Sequence, residues 1–187
     1  ICADVMGKGL SAALFANMLR TNILAFSGKA LDPGMLLTEV NARMFPDLSR
    51  LDIFITAFCV WISRDAGTIH HSGAGHPAGI LRQKMGAIST LQSRGLPLGV
   101  LKDAIYETRK MDFERESSLV LFSDGISETR DQSGNFFGDE GILAVVESNP
   151  DLSAEFLVKR IVDAVDQFSG NAPLVDDRSI LAVLRKA

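Results

Sequence analysis

Cysteine is scarce here, with two in 187 residues. Neither Cys2 nor Cys59 belongs to a Cys-x-x-Cys pair, and both sit within apolar runs. A disulfide framework is therefore not expected, and buried thiols in a reducing compartment are. Positive charge is also in short supply: nineteen basic residues against twenty-three acidic give a net charge of −4. A nucleic-acid surface needs a basic patch to meet phosphates, so no nucleic-acid partner is expected. Apolar runs are broken by Asn, Arg, Thr or Ser well before membrane-spanning length, which leaves no membrane contact expected from this segment. No signal peptide is visible. Repeats, low-complexity stretches and internal linkers are missing too. Hydrophobic content of 47% nevertheless supports a real core, so the expectation is one domain over residues 1–187.

Several catalytic signatures are also missing. Gly7-Lys8-Gly9 precedes a helical stretch, where anions are attracted, but it lacks the upstream Gly and following Ser/Thr of a P-loop. His70, His71 and His76 make neither His-Glu-x-x-His nor zinc-finger spacing. No Gly-x-Ser-x-Gly elbow exists, and neither Cys has an obvious activating partner. His70 and His71 read as strand residues with one facing solvent. His76, in Gly73-Ala74-Gly75-His76-Pro77, occupies a tight loop where a structural role and a catalytic one are both open.

What the chain does have is a repeated device. The apolar run Leu119 to Phe122 reads as a strand buried on both faces, and it delivers Asp124 to its end just before Gly125. Asp4 follows an apolar start and precedes Gly7 and Gly9. Asp176 and Asp177 stand just ahead of the apolar run Ile180 to Leu184. Each alone has a bland explanation: Asp-Gly is a favoured hairpin turn, and Asp176-Asp177 could be a cap or a solvated loop. Three acidic stations at strand ends, with only Lys8 and Arg178 nearby to neutralise them, suit a hard cation such as Mg²⁺ or Mn²⁺.

Around these stations the pattern alternates by blocks. Ser11 to about Phe26 is helical, with Leu14, Met18, Leu19, Ala25 and Phe26 loosely suggesting a face. Asp32-Pro33 is a helix start, and Leu36, Leu37, Val40 and Met44 form a 3.6-period stripe. A long strand spans Asp52 to Ile62, turns at Arg64 to Gly67 and returns over Thr68 to Ser72. Shorter strands follow at Ala78 to Arg82, Ala87 to Leu91, Ile105 to Phe113 and Leu119 to Phe122. Helices over Asp139 to Glu147 and Ser153 to Phe168 come before the last strand. Short turns between strands imply antiparallel sheets, so the fold class is α+β.

The stretch from Asp4 to Leu14 resembles the opening metal-binding motif of the bacterial SpoIIE/RsbU-type phosphatases, within the PP2C-like (PPM) superfamily. The resemblance continues through Ala74-Gly75-His76-Pro77, Gly95-Leu96-Pro97-Leu98-Gly99, Phe122 to Glu128 and Asp176 to Ser179. It implies an α-β-β-α sandwich of two antiparallel sheets flanked by helices. It also implies a centre of two Mn²⁺ or Mg²⁺ ions that hydrolyses phosphoserine or phosphothreonine with no protein nucleophile. Position by position, Asp4 resembles the carboxylate that bridges both metals, and the Val5 carbonyl the backbone ligand beside it. Asp124 and Asp176 resemble the second metal's carboxylates, with Asp177 the alternative if the register slips by one. Lys8 or Arg178 is the candidate phosphate contact.

The family's preceding strand pair, with its Gly-Gly-Asp motif, has no counterpart before Ile1, so the expectation is a fragment whose N-terminal strands are missing. Three outcomes stay open for such a fragment: weak metal binding, no activity, or an exposed sheet edge that pairs with another chain in a homodimer. The resemblance implies a cytoplasmic bacterial signalling phosphatase. Its expected partners are a phosphorylated anti-anti-sigma (STAS) substrate and an upstream sensor or receiver domain. The alternatives are a non-catalytic PP2C-like scaffold and a metal-binding regulator without phosphatase activity.

Overall fold

The computed structural model describes residues 1–30, 32–63, 65–149, 153–170, 172 and 176–186. Its contacts divide the chain into two compact units, Ile1–His76 with Gln92–Asp112, and Pro77–Leu91 with Phe113–Ala187. Each unit carries one four-stranded antiparallel sheet and its own apolar core.

In the first unit the elements are β1 (Cys2–Val5), α1 (Leu10–Ser27), α2 (Pro33–Arg50), β2 (Ile55–Ser63), β3 (Thr68–Ala74) and β6 (Arg109–Asp112). The strands lie in the order β1-β2-β3-β6. The stripe on α2 is buried as its period requires, with Leu36, Leu37, Val40, Met44 and Leu48 at most 1% exposed. On α1 the loosely suggested face is corrected in part, since Leu14 and Ala25 are exposed. Packing selects Phe15 and Leu19, while Leu14 stays 57% exposed. The long strand starts later than its composition suggested. Asp52 adopts φ of 52°, a left-handed conformation that breaks strand geometry, and pairing begins at Ile55. Likewise, of the expected strand from Ile105 to Phe113, only Arg109–Asp112 pairs. The turn after β2 includes Arg64, which lies outside the described residues; Gly67 closes it by donating to the Ser63 carbonyl at 3.1 Å.

Two polar clamps tie α2 to the loop that follows the short strands. Asn41, fully buried, donates from Nδ2 to the carbonyls of Leu101 (2.9 Å) and Lys102 (3.1 Å) and accepts from the Gly99 amide (2.9 Å). A buried amide that meets several backbone groups contributes mainly because each would be costly to leave unmade. At the other end Asp32 caps the helix, accepting from Met35 N at 2.8 Å, while the Thr108 hydroxyl donates to Asp32 and accepts from Gly34 N.

The second unit holds β4 (Gly79–Arg82), β5 (Ile88–Leu91), β7 (Ser118–Phe122), α3 (Asp124–Ser127), α4 (Gly138–Ser148), α5 (Ala154–Ser169) and β8 (Ile180–Leu184). Its strand order is β5-β4-β7-β8. As a central strand, β7 is buried at every position, as its unbroken apolar run required. Helix α5 buries Leu157, Ile161 and Val165. Phe168 meets Phe137 edge-on, with ring centroids 5.4 Å apart. Ser153 caps α5, accepting from Phe156 N. The acids of the third station stand before β8, while Leu174 and Val175 ahead of them lie outside the described residues.

Two outcomes follow. Asn41→Ala strips three backbone groups of their partner, so it should cost about 3 kcal/mol, read as a lower urea midpoint with unchanged slope. Asp32 has its carboxyl held below its usual value of 3.8, first by the Thr108 hydroxyl and then by the Met35 amide. A group depressed in the folded state stabilises fully above its unfolded pKa and loses that contribution as pH falls through the folded one. The stability gap between wild type and Asp32→Asn should therefore be widest above about pH 4 and shrink on acidification, as measured by denaturation at stepped pH.

Candidate functional site

In the first unit, β1 carries Asp4 directly opposite Thr56 of β2. Opposed residues in an antiparallel pair project from the same face. The Thr56 hydroxyl lies 2.8 Å from His76 Nδ1, and His76 is only 4% exposed. The segment before His76 is drawn onto β2 by a bridge between Ala57 and Gly75. Gly75 adopts φ of 69°, and a Cβ there would stand 2.6 Å from Pro97 Cγ. Both the left-handed backbone and the close proline require glycine. His76, open between two roles on sequence grounds, is thus tied to the strand pair that carries Asp4. Val5 is buried beside it. The chain leaves β1 through Gly7 and Gly9, at φ of 92° and 83°, with nothing within 4 Å of a Cβ. They serve backbone freedom rather than space, and α1 begins directly after Gly9 without a side-chain cap.

In the second unit, the ends of β7 and β8 are stitched together by Ser123. Its amide donates to the Ser179 carbonyl (3.0 Å), and its hydroxyl accepts from the Ser179 amide (2.9 Å) and donates to the Asp177 carbonyl (3.2 Å). Asp124 follows at once as the first residue of α3. Asp124-Gly125 is therefore a strand-to-helix corner rather than a hairpin turn. A Cβ on Gly125 would stand 2.1 Å from the Asp177 carbonyl oxygen, so only glycine lets the backbone of residues 176–177 lie against this corner. The Asp124 residue is half-buried; Asp176 and Asp177 are exposed. One oxygen of Asp176 accepts from the Asp177 amide at 2.9 Å, and both carboxylates remain open to solvent.

Arg178, a candidate phosphate contact by sequence, is turned elsewhere: its guanidinium reaches Asp166 of α5 at 2.7 Å. The second and third acidic stations are thus neighbours along the backbone, with their adjacent arginine engaged by another acid. An all-oxygen, solvent-reachable carboxylate set of this kind fits the donor chemistry of Mg²⁺ or Mn²⁺. Among the described residues of either unit, no three His, Cys, Asp or Glu are grouped closely enough to hold a metal ion. Ser123 and Thr56 escaped sequence reasoning. Ser123 lies inside the Phe122 to Glu128 motif but is not an acid, and Thr56 carries no signal beyond its strand. Cys59 is buried and its thiol pushed up to about 11 by desolvation, as its apolar setting implied, whereas Cys2 is only half-buried.

The two sheets, the order of their elements and the acid-bearing corners together have the fold of PP2C-type phosphatase domains. The SiaA-PP2C domain of Pseudomonas aeruginosa matches with a TM-score of 0.86 at 21% identity, over 97% of this chain and 73% of that one. RsbX, solved in complex with magnesium, matches with a TM-score of 0.69 at 15% identity, over 96% of this chain and 77% of that one. The profile of the Stage II sporulation protein E (SpoIIE) family spans residues 1–186, and the chain belongs to that family. Among curated relatives, phosphoserine phosphatase RsbU of Bacillus subtilis is 30% identical over 185 residues, covering 98% of this chain. The chain spans 54% of that protein's length.

Gly125→Ala should cost about 2 kcal/mol through overpacking against residue 177. Gly28→Ala, where nothing lies within 4 Å of a Cβ and φ is −82°, should stay within about 0.5 kcal/mol. Paired thermal melts of the two variants check this, and equal losses would refute the tight corner.

Proposed function

We propose that the chain is a metal-dependent phosphatase domain that hydrolyses phosphoserine or phosphothreonine on a signalling protein. The observation that carries this reading is the corner where Ser123 and Gly125 hold Asp124 against the backbone of Asp176 and Asp177, in a chain of the SpoIIE family. Asp4, the Val5 carbonyl, Asp124 and Asp176 would hold two Mn²⁺ or Mg²⁺ ions, with Asp177 as the alternative to Asp176. Bound there, such ions supply a water acidic enough to act near neutral pH and screening of the phosphate charge.

The chain's own part is positioning. Strand β7 fixes the Asp124 backbone, Ser123 sets the spacing to residues 176–177, and the Thr56–His76 bond steadies the strand opposite Asp4. No serine or cysteine is needed as a nucleophile. Lys8 is exposed and free to meet an incoming phosphate. The substrate class proposed is a phosphorylated STAS-type regulator, in keeping with the RsbU relationship, in a cytoplasmic pathway fed by a sensor or receiver domain. No helix among the described residues is long and apolar enough to cross a membrane.

Hydrolysis of a phosphoserine peptide should require added Mn²⁺ and stop on chelation. Asp124→Asn should lower the rate more than about a hundredfold, because even residues behind metal ligands typically cost 10–100-fold. Calorimetric titration with Mn²⁺ run alongside separates the competing readings. Binding without hydrolysis points to a metal-binding regulator, and neither binding nor hydrolysis points to a scaffold. Activity indifferent to Asp124→Asn would refute the assigned site.

A further inference from the structure

Strand β6 pairs with β3 only from Thr68 to His71. Beyond that point the edge of β3 is met instead by the loop around Gly95, whose amide donates to the Gly73 carbonyl at 3.0 Å. The change of partner leaves a recess of about 260 Å³, lined by His71, Ser72, Gln92, Arg94, Glu107 and Arg109 among others. Its walls are set by side chains packed closely over glycines: a Cβ on Gly73 would stand 2.2 Å from Ser93 Oγ, and one on Gly95 2.5 Å from the Tyr106 ring. All of these residues belong to the first unit.

The lining is polar in a particular way. His71 and Ser72 are each 2% exposed. Among the described residues, His71 Nδ1 and Ser72 Oγ have no hydrogen-bond partner. Leaving such groups unmet costs about 1–3 kcal/mol each, and buried polar groups in folded proteins are nearly always paired. Arg109 stands directly across from His71 in the β3–β6 register, half-buried and, among the described residues, without an ion pair. Arg94 gives two bonds to Gln92 Oε1, at 3.1 and 2.9 Å, which spends only part of its guanidinium fork. Glu107 is the one acid in the lining, against two guanidiniums. Burial, and then the Arg109 charge, push the His71 imidazole down to about 4, so at neutral pH it is an uncharged ring able to donate from Nδ1. The stacked Phe58 ring, 5.6 Å away centroid to centroid, holds its plane.

We propose that this recess is a binding site for a small oxyanion, with phosphate as the preferred headgroup, held by Arg109 and Arg94 and by a hydrogen bond from His71, whose side chain shares a sheet face with Arg109. Planar guanidiniums recognise oxyanions through paired charge-assisted bonds. A compact anion would satisfy in one step the orphaned imidazole nitrogen and the uncompensated charge. The space is several times the ~30 Å³ share of a liquid water, enough for phosphate and part of its hydration. No divalent cation is required, so the site stands independently of the catalytic acids.

The chain has three histidines, which makes the test direct. Ring signals of His70, His71 and His76 are followed by nitrogen-15 NMR in chelator while inorganic phosphate is added at constant ionic strength, with acetate as a second arm. The His71 signals should shift and saturate with a Kd on the order of 1 mM, while His76, bonded to Thr56, stays in place. Saturation by phosphate at lower concentration than acetate assigns a phosphate headgroup; the reverse order assigns a carboxylate and overturns the stated preference. Arg109→Gln should weaken binding at least about tenfold. Arg94→Gln, a change at an exposed position that leaves folding untouched, should do the same. No saturation with either anion, or affinity unchanged in Arg94→Gln, overturns the proposal.

Discussion

The junction of β7 and β8 is the constraint on which the candidate site depends. Backbone pairing from Ser118 to Phe122 brings the two strands together, but pairing alone would let their ends diverge. Ser123 prevents that with three bonds to residues 177 and 179, and Gly125 removes the one atom that would hold the segments apart. What results is a carboxylate whose backbone is fixed by a fully buried strand and whose side chain can still reach solvent. Sites that bind hard cations need both properties, since the ligands must be placed before the ion arrives and the ion keeps some of its water.

The first unit solves the same problem differently. Asp4 sits on an edge strand, where pairing on one side only gives less rigidity. Compensation comes from the far side of β2, where Gly75 and Pro97 hold His76 in place and His76 in turn engages Thr56. The packing of α2 supports this from behind. Asn41 binds the loop that runs from Gly99 to Lys102, and Leu98, just before that loop, pairs with Ile55 at the head of β2. A substitution at Asn41 would therefore be felt at β2 through a short chain of backbone bonds, without touching any acid.

Much of this was legible in the residues. The α2 stripe, the Asp32-Pro33 start, the buried β7 run and the α5 face follow from periodicity and capping, which local sequence encodes well. Strand ends were less legible. Neither the left-handed turn at Asp52 nor the late start of β6 at Arg109 has a Gly or Pro to announce it. On α1 small and apolar residues fall on several faces, so the suggested face included Leu14, which is exposed, and omitted Phe15, which is buried. The candidate acids were visible because an Asp next to a short apolar run is a local pattern. Ser123 and Thr56 were not, because their roles consist of bonds to residues about twenty or more positions away. Arg178 shows the limit most clearly: its neighbours in sequence are Asp176 and Asp177, yet in the fold its partner is Asp166 on the preceding helix.

That choice of partner has an electrostatic consequence. Had Arg178 folded back onto the acids beside it, half of their charge would have been offset and their affinity for a cation reduced. A bond to Asp166 leaves Asp176 and Asp177 uncompensated by their own arginine, and like charges held close favour a bound cation. At the β3 edge the imbalance has the opposite sign, with Arg94 and Arg109 outnumbering Glu107 around a buried imidazole. Among the described residues, neither Asp176 and Asp177 nor Arg94 and Arg109 take part in an ion pair. Like charges held close repel one another, so each cluster is relieved where a counter-ion is the binding partner: a divalent cation for the acids, an oxyanion for the guanidiniums.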